Sequence, residues 1–228
     1  MAHKKTIHLV AAALAAAAFP AAAQMTPWYL GVGLGQSKTD SAIVTNREAN
    51  INPATDFASS FDDKDSAWKA TLGYRINDLF SLEANYADYG KVTIDTRFIV
   101  PGGTPGGVFS ERKVKGYGID VVIGTPFLQR FAVFGRLGYF RSETEGTATL
   151  SGDTFFADGD PRTSRTNKVH NDSTKYGVGV DWLLTKNASV RLEWERLVDV
   201  GRKFEPGTSG ATGEADMEMW SLGAIWRF

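Results

Sequence analysis

Cysteine is absent from all 228 residues, so a disulfide framework cannot stabilise a small secreted fold and no thiolate chemistry is available. Long apolar runs are equally scarce. The one such stretch, Ile7 to Ala18, holds about 12 residues, short of the roughly 20 that a helix needs to cross a bilayer. It follows Lys4 and Lys5 and leads into Ala21-Ala22-Ala23, the charged, apolar and small-residue order of a secretory signal with cleavage expected after Ala23. The chain therefore divides into a signal peptide over residues 1–23 and an exported domain over residues 24–228. Histidine is nearly missing too: beyond the signal only His170 remains, beside Asn171 and Asp172, a set that reads as turn chemistry. With so few nucleophiles and no metal-ligand spacing, a non-enzymatic protein without cofactor or metal is expected. The acid pairs Asp62-Asp63 and Asp158/Asp160 lack the ligand spacing of a calcium loop and read as solvated charge. Loss of Lys4 and Lys5 takes the basic count from 25 to 23 against 26 acidic residues, a net charge of −3, which disfavours nucleic acid as a partner.

What is present is a period of 2. Eight segments carry it: Trp28–Gln36, Ala67–Ile76, Leu79–Tyr89, Lys113–Thr125, Phe131–Arg141, Thr174–Leu184, Ser189–Leu197 and Met217–Phe228. On one parity stand residues such as Leu30, Val32 and Leu34, Leu72 and Tyr74, Ile119 and Val121, Val178 and Val180, Leu222 and Trp226. Within the stretches Trp28–Leu34, Trp68–Ile76, Phe80–Tyr86, Tyr117–Ile123, Phe131–Tyr139, Tyr176–Trp182, Val190–Trp194 and Trp220–Phe228, every position of that class but Gly135 is apolar or tyrosine. Of the 26 residues interleaved between those positions only Tyr29, Val122, Ala132, Phe134 and Ile225 are apolar and larger than glycine. Strict alternation makes each segment a strand with one apolar face.

The polar face distinguishes between architectures. It carries Gly31, Gly33, Gly73, Gly118, Gly138, Gly177, Gly179 and Gly223 among Lys69, Arg75, Glu83, Asp120, Arg136, Asp181, Arg191 and Glu193. A solvated sheet surface gains nothing from so much glycine, whereas a narrow barrel lumen needs small residues opposite long charged ones. The polar side is therefore inside and the apolar side faces lipid. Connections alternate accordingly: short at Asn77-Asp78, Thr125–Arg130 and Thr185–Asn187, long near Ser37–Ser66, Asp88–Arg112, Ser142–Ser173 and Val198–Asp216. Outer-membrane barrels have short periplasmic turns and long extracellular loops. The expected fold is an all-β, eight-stranded antiparallel up-and-down transmembrane β-barrel in the outer membrane, with both mature termini in the periplasm. Trp28, Tyr74, Phe131, Trp182, Trp226 and Phe228 would form one aromatic girdle, and Tyr86, Tyr117, Tyr139, Tyr176 and Trp194 the other.

Cations break the apolar rule at one height only. Lys113, Lys115, Arg141 and Arg196 share the outward parity near the expected extracellular rim, where Lys or Arg on the lipid face costs little. They are candidate contacts for outer-membrane lipid and the phosphates of lipopolysaccharide.

"WYLGVGLGQS" at the first strand, "ASVRLEWER" at the seventh and "WSLGAIWRF" at the end resemble the transmembrane domain of the outer-membrane protein A family. The resemblance runs through the whole mature chain, with closest agreement at "RLEW" and "SLGAIWRF" and none in the loops. It implies a structural or surface-interaction role; the alternative it allows is a narrow gated pore. It implies that Phe228 is read by the barrel assembly machinery, with periplasmic chaperones as partners during biogenesis. It also places Glu83 and Arg191 at a cross-lumen ion pair and Asp181 at a further lumen acid. The basic residue expected opposite that acid is replaced by Val122, so Lys69, Arg136 or Lys175 would have to serve. The family's C-terminal peptidoglycan-binding domain has no counterpart before Phe228, so cell-wall tethering does not transfer.

Overall fold

The computed structural model describes residues 27–49, 51, 54–152, 154, 156, 162–203 and 211–228. The expected signal peptide over residues 1–23 and the acid pair Asp158/Asp160 lie outside the described residues. In chain order the elements are β1 (Trp28–Thr39), α1 (Ala42–Glu48), β2 (Thr55–Asp62), β3 (Lys64–Arg75), β4 (Phe80–Val100), β5 (Thr104–Gly124), β6 (Phe131–Gly152), β7 (Ser164–Leu183), β8 (Ala188–Arg202) and β9 (Gly213–Arg227).

Eight of the strands close a ring. Each of β3 to β9 pairs antiparallel with the next, and β1 joins the two ends, running against β3 from Trp28↔Tyr74 to Lys38↔Lys64 and against β9 from Tyr29↔Arg227 to Thr39↔Met217. Closure leaves the ring no free edge, so every backbone group in a lipid-embedded wall finds a partner within the wall. The apolar parity faces outward and exposed, as at Leu34, Leu72, Ile119, Leu137, Val178 and Leu222, while Glu83, Asp120, Arg136 and Glu193 on the other parity are buried inside. From Trp68 to Ile76 the outward class runs unbroken, a rise of roughly 27 Å along the strand and about 21 Å along the axis at the usual tilt, close to a lipid-facing band of about 25 Å.

The short turns are closed by side chains. Asn77 Oδ1 accepts from the backbone N–H groups of Leu79 and Phe80, both at 2.8 Å. At the next turn but one, Thr185 Oγ1 accepts from Asn187 and Ala188 at 3.3 and 3.0 Å. These local bonds supply the ladder partners that a two-to-three-residue connection cannot.

At the opposite end the strands run far beyond the apolar band. The segments expected as loops near Asp88–Arg112 and Ser142–Ser173 are largely sheet: β4 and β5 pair out to Val100↔Thr104, and β6 and β7 from Phe131↔Trp182 to Thr149↔Ser164. The long connections are thus mostly hairpin arms. Two elements absent from the expected set stand in the first of them. β2 pairs with the outer part of β4, from Thr55↔Ile99 to Asp62↔Thr93, and so extends the position of β3. α1 packs Ile43 against Ile94 and Ala215, with Val44 and Phe61 alongside.

Two β-bulges explain where the expected strands stopped. The register shifts between Asp88 and Lys91 in β4 and between Leu197 and Val200 in β8, with Gly90 at φ +73° and Asp199 at φ +56°. An extra residue in one strand exchanges the faces of everything after it. Thus Glu83, Ala87 and Tyr89 are buried before the first bulge, and Val92, Ile94, Thr96 and Phe98 after it. Alternation is intact on both sides, but its phase has changed.

Candidate functional site

The lumen is built from the inward parity of all eight ring strands, and glycine makes room for its larger members. Tyr29 sits directly across from Gly73, and Phe134 from Gly179; a Cβ on either glycine would enter the facing ring. Tyr29, Val122, Ala132, Phe134 and Ile225, the apolar exceptions of the inward parity, are all buried.

From the short-turn end upward the charges form one connected network. Arg191 faces Asp181 across the β7–β8 register and donates through Nε to Oδ1 at 2.8 Å and through Nη2 to Oδ2 at 3.0 Å. Its Nη1 donates to Glu83 Oε1 at 2.7 Å, an atom that also accepts the Tyr29 hydroxyl at 2.8 Å. Glu83 Oε2 accepts from Arg136 Nη2 at 2.8 Å, and Arg136 Nη1 donates to Asp120 Oδ2 at 2.8 Å. Arg136 Nε lies 2.8 Å from Glu193 Oε1 but off its N–H direction, so that contact is an ion pair, while Nη2 donates to Glu193 Oε2 at 3.1 Å. Lys69 Nζ bridges Glu193 and Glu195 at 2.7 and 2.9 Å. Lys175 Nζ reaches Asp120 Oδ2 at 2.9 Å and donates to Asn85 Oδ1 at 2.7 Å. At the short-turn mouth Arg227 donates to Ser189 Oγ at 3.0 Å and lies 3.6 Å from Asp181.

Five acids (Glu83, Asp120, Asp181, Glu193, Glu195) thus meet five bases (Lys69, Arg136, Lys175, Arg191, Arg227). The balance matters because each ion withdrawn from water costs several kcal/mol, recovered only through close and well-bonded partners. Phe134 adds a second kind of support, with the Arg191 guanidinium carbon 4.3 Å and that of Arg136 5.7 Å from its ring centre. Guanidinium over an aromatic face in a desolvated site is a favourable cation–π contact.

Above the charges the lumen turns apolar. Tyr89, Phe140, Leu197, Val200, Met217 and Met219 pack with Ala67, Ala87 and Val114 across the bore. The Tyr89 and Phe140 rings meet edge to face at 5.6 Å, and the Tyr89 hydroxyl donates down to Glu195. A water column would have to pass first the ion pairs and then this layer.

The structure brings together Glu83, Arg191, Asp181, Lys69 and Arg136, the five lumen candidates named from the sequence. One partnership differs from expectation. Asp181 is held by Arg191 and Arg227, not by Lys69, Arg136 or Lys175, because Arg191 stands directly opposite it while those three are engaged with Glu193, Glu195, Glu83 and Asp120. Asp120 and Glu193 were placed on the polar face and Tyr29 among its apolar exceptions, but none was named as a lumen partner; Glu195, Arg227 and Asn85 were not named at all, and Tyr89 only as the end of a segment. All share the inward parity, which is the signal that would have found them.

On the outer wall, aromatic pairs mark two levels. Trp28 and Tyr74 meet at 4.9 Å and Phe131 and Trp182 at 6.0 Å toward the short turns; Trp68 and Tyr86 meet at 5.6 Å and Tyr176 and Trp194 at 5.9 Å toward the arms. Phe228 is exposed beside the first level, its N–H donating to Trp28 O at 3.3 Å. The rim cations lie at the arm side, and each has a carboxylate beside it. Lys113 is 3.1 Å from Glu111, Lys115 3.4 Å from Glu143 and Arg141 3.8 Å from Asp172; Arg196 reaches Asp216 at 2.8 Å and Glu218 at 2.7 Å. His170 stands on the same outer surface, 3.4 Å from Glu143. Among the described residues no group of three or more His, Asp and Glu is placed to hold a metal ion.

A closed eight-stranded ring with an apolar outer wall, two aromatic levels and a neutral, ion-paired interior defines an integral membrane β-barrel. Residues 9–228 match the family described as the outer membrane protein beta-barrel domain, and the chain belongs to it. Curated relatives include outer membrane protein A of Klebsiella aerogenes, 26% identical over 99% of this chain and 55% of the relative, and that of Serratia marcescens, 28% identical over 99% and 56%. The chain spans about half the length of these relatives. Among solved structures, the outer membrane protein OprG of Pseudomonas aeruginosa superposes with a TM-score of 0.51 at 13% identity, covering 90% of this chain and 97% of that one. That likeness concerns the fold alone.

Proposed function

We propose that this outer-membrane barrel is a structural and surface-interaction protein without enzymatic activity, whose lumen is a fixed plug and whose arms are its working surface. The observation that carries the reading is the interior: five acids and five bases paired within 4 Å, roofed by a layer led by Tyr89, Phe140 and Met217. Ions could pass only by breaking contacts whose desolvation has already been compensated. Planar-bilayer recording of the refolded protein tests it directly. A silent bilayer at moderate voltage is expected, and sustained single-channel steps would replace the plug with the narrow gated pore.

In this reading the short turns and both mature ends face the periplasm and the arms face outward, following the length asymmetry of outer-membrane barrels. The absence of native cysteine makes a clean test available. Thr104→Cys, beside the β4–β5 tip, should react with a membrane-impermeant maleimide on intact cells, and Asp78→Cys only after the outer membrane is opened. The reverse pattern would invert the barrel.

The exposed aromatic Phe228, at the end of β9, is proposed as the mark read by the assembly machinery. Lys113, Lys115, Arg141 and Arg196 are proposed to meet lipopolysaccharide phosphates, in competition with the carboxylates already beside them. Replacing all four with Gln should reduce co-purified lipopolysaccharide; unchanged retention would remove the lipid from the list of partners.

A further inference from the structure

Within the arms, above the apolar layer, lies a cavity of about 40 Å³ lined by Ile43 and Arg47 of α1, Ile94 of β4, Ser110 and Arg112 of β5, and Thr212. By the volume one probe-sized water occupies, this is room for about three waters, or for one compact polyatomic ion.

Arg112 is unlike the lumen arginines. Only 3% of it is exposed, and Nη2 donates to Val200 O at 2.7 Å, but Nε and Nη1 are buried with no hydrogen-bond acceptor among the described residues. Ser110, two residues away on the same inward face and 6% exposed, has a buried hydroxyl that likewise lacks a partner. Arg136, Arg191 and Arg227 each have a carboxylate within 4 Å; no such ion pair is formed by Arg112 among the described residues. Glu214 influences it only at a distance and is engaged with Lys203 at 3.1 Å. Glu111 contributes to the cavity wall, yet its carboxylate is committed to Lys91 and Lys113, both at 3.1 Å. Burial pushes the Arg112 guanidinium pKa down to about 10, as befits a cation taken from water without full compensation.

The missing complement has a definite chemistry. It must accept hydrogen bonds from a guanidinium and be able to take one from a hydroxyl, be small, and carry negative charge; water meets the first requirements but not the last. We propose that this cavity is a binding site for a single phosphate-class oxyanion, free in the medium or carried as the monoester of a small sugar.

Isothermal titration of the refolded mature chain in neutral detergent, at constant ionic strength, tests this with inorganic phosphate and with glucose 6-phosphate. Saturable binding of inorganic phosphate alone places the free ion in a closed cavity; binding of both shows that an esterified phosphate also enters. Arg112→Met, which removes the buried charge at similar length, should abolish binding. Ser110→Ala keeps the charge and the fold, and should weaken affinity about fivefold for the loss of one hydrogen bond. Absence of saturable binding to the unaltered protein with either probe, or affinities that neither substitution changes, would overturn the proposal and leave the cavity to water.

Discussion

The barrel uses acid–base pairs in two places, and their surroundings give the same chemistry different worth. Inside, Arg136 touches Glu83, Asp120 and Glu193 at 2.8 Å with none of its side chain exposed. Outside, on the arms, Lys115 lies 3.4 Å from Glu143 and Lys168 lies 2.8 Å from Glu145, with about half of each lysine exposed. Water already solvates the outer pairs, so each gains little from its partner. In the lumen the charges are buried, and an ion deprived of its partner there keeps most of its desolvation cost. The lumen pairs therefore hold the ring in one arrangement. The outer pairs set the charge pattern that the arms present.

The largest expected effect breaks the inner set. Arg136→Ala should lower stability by about 3 to 5 kcal/mol, since it leaves three carboxylates sharing the remaining cations. Arg191→Ala should cost less, because Glu83 keeps both Arg136 and the Tyr29 hydroxyl. Urea midpoints of the refolded variants measure the order, and equal midpoints for Arg136→Ala and the unaltered protein would mean that the network is hydrated. Phe134→Leu should follow at about 2 kcal/mol, through loss of the ring beneath Arg191. If the same loss appears when Arg191 is already Ala, the ring acts by packing alone and the cation–π account fails.

A fourth substitution probes the border between the two regions. Gly90 sits at φ +73°, and a Cβ there would meet the Asp65 side chain and the Ser66 carbonyl. Gly90→Ala should cost about 1 to 2 kcal/mol for the left-handed backbone, with hydrogen exchange accelerated around Asp88–Lys91 and unchanged in the ring below. Uniform acceleration through β4 would show that the bulge and the membrane-embedded part unfold as one unit.

How much of this was legible in the sequence depended on which solvent each face met. Where lipid surrounds the wall, the outward parity must be apolar at every step, so Leu30, Val32 and Leu34 and their counterparts defined the eight-stranded ring without ambiguity. Above the lipid that demand lapses. Lys91, Thr93 and Asp95 face outward on β4 while Val92 and Ile94 are buried, a strand pattern of reversed phase that reads as polar loop unless the bulge at Gly90 is recognised. β2 was missed for the related reason that its outward face is polar and its partner is the shifted half of β4. In the lumen, parity identified the inward charges but could not pair them. Asp181 finds Arg191 through β7–β8 register, a property of the closed ring, and the surroundings of Arg112 in the arms, which offer it no ion pair among the described residues, are likewise set by the fold.

The smallest effect is expected on the outer wall, where it also sharpens the contrast most. Across β5, β6 and β7 the register sets Lys113 opposite Glu145 and Glu145 opposite Lys168, with Lys115, Glu143 and His170 in the next row. In the first row signs alternate from strand to strand, the favourable arrangement for cross-strand neighbours. The hydrogen bond from Lys168, with its charge, holds the Glu145 carboxyl below its ordinary pKa. A depressed carboxyl contributes stability that is present above its unfolded value and lost as pH falls through the lower, folded one. The contribution should therefore fade only in the acid range, without change around neutral pH. Glu145→Lys would set three cations in one row. Because all three are exposed, the global urea midpoint should stay where it was, while protease nicking of the β6–β7 arm should rise at low ionic strength. That sensitivity should vanish at about 1 M salt, where the screening length has fallen to about 3 Å. A global loss of stability approaching that of Arg136→Ala would show that the arm charges are coupled to the ring, and that the distinction between inner and outer pairs does not hold.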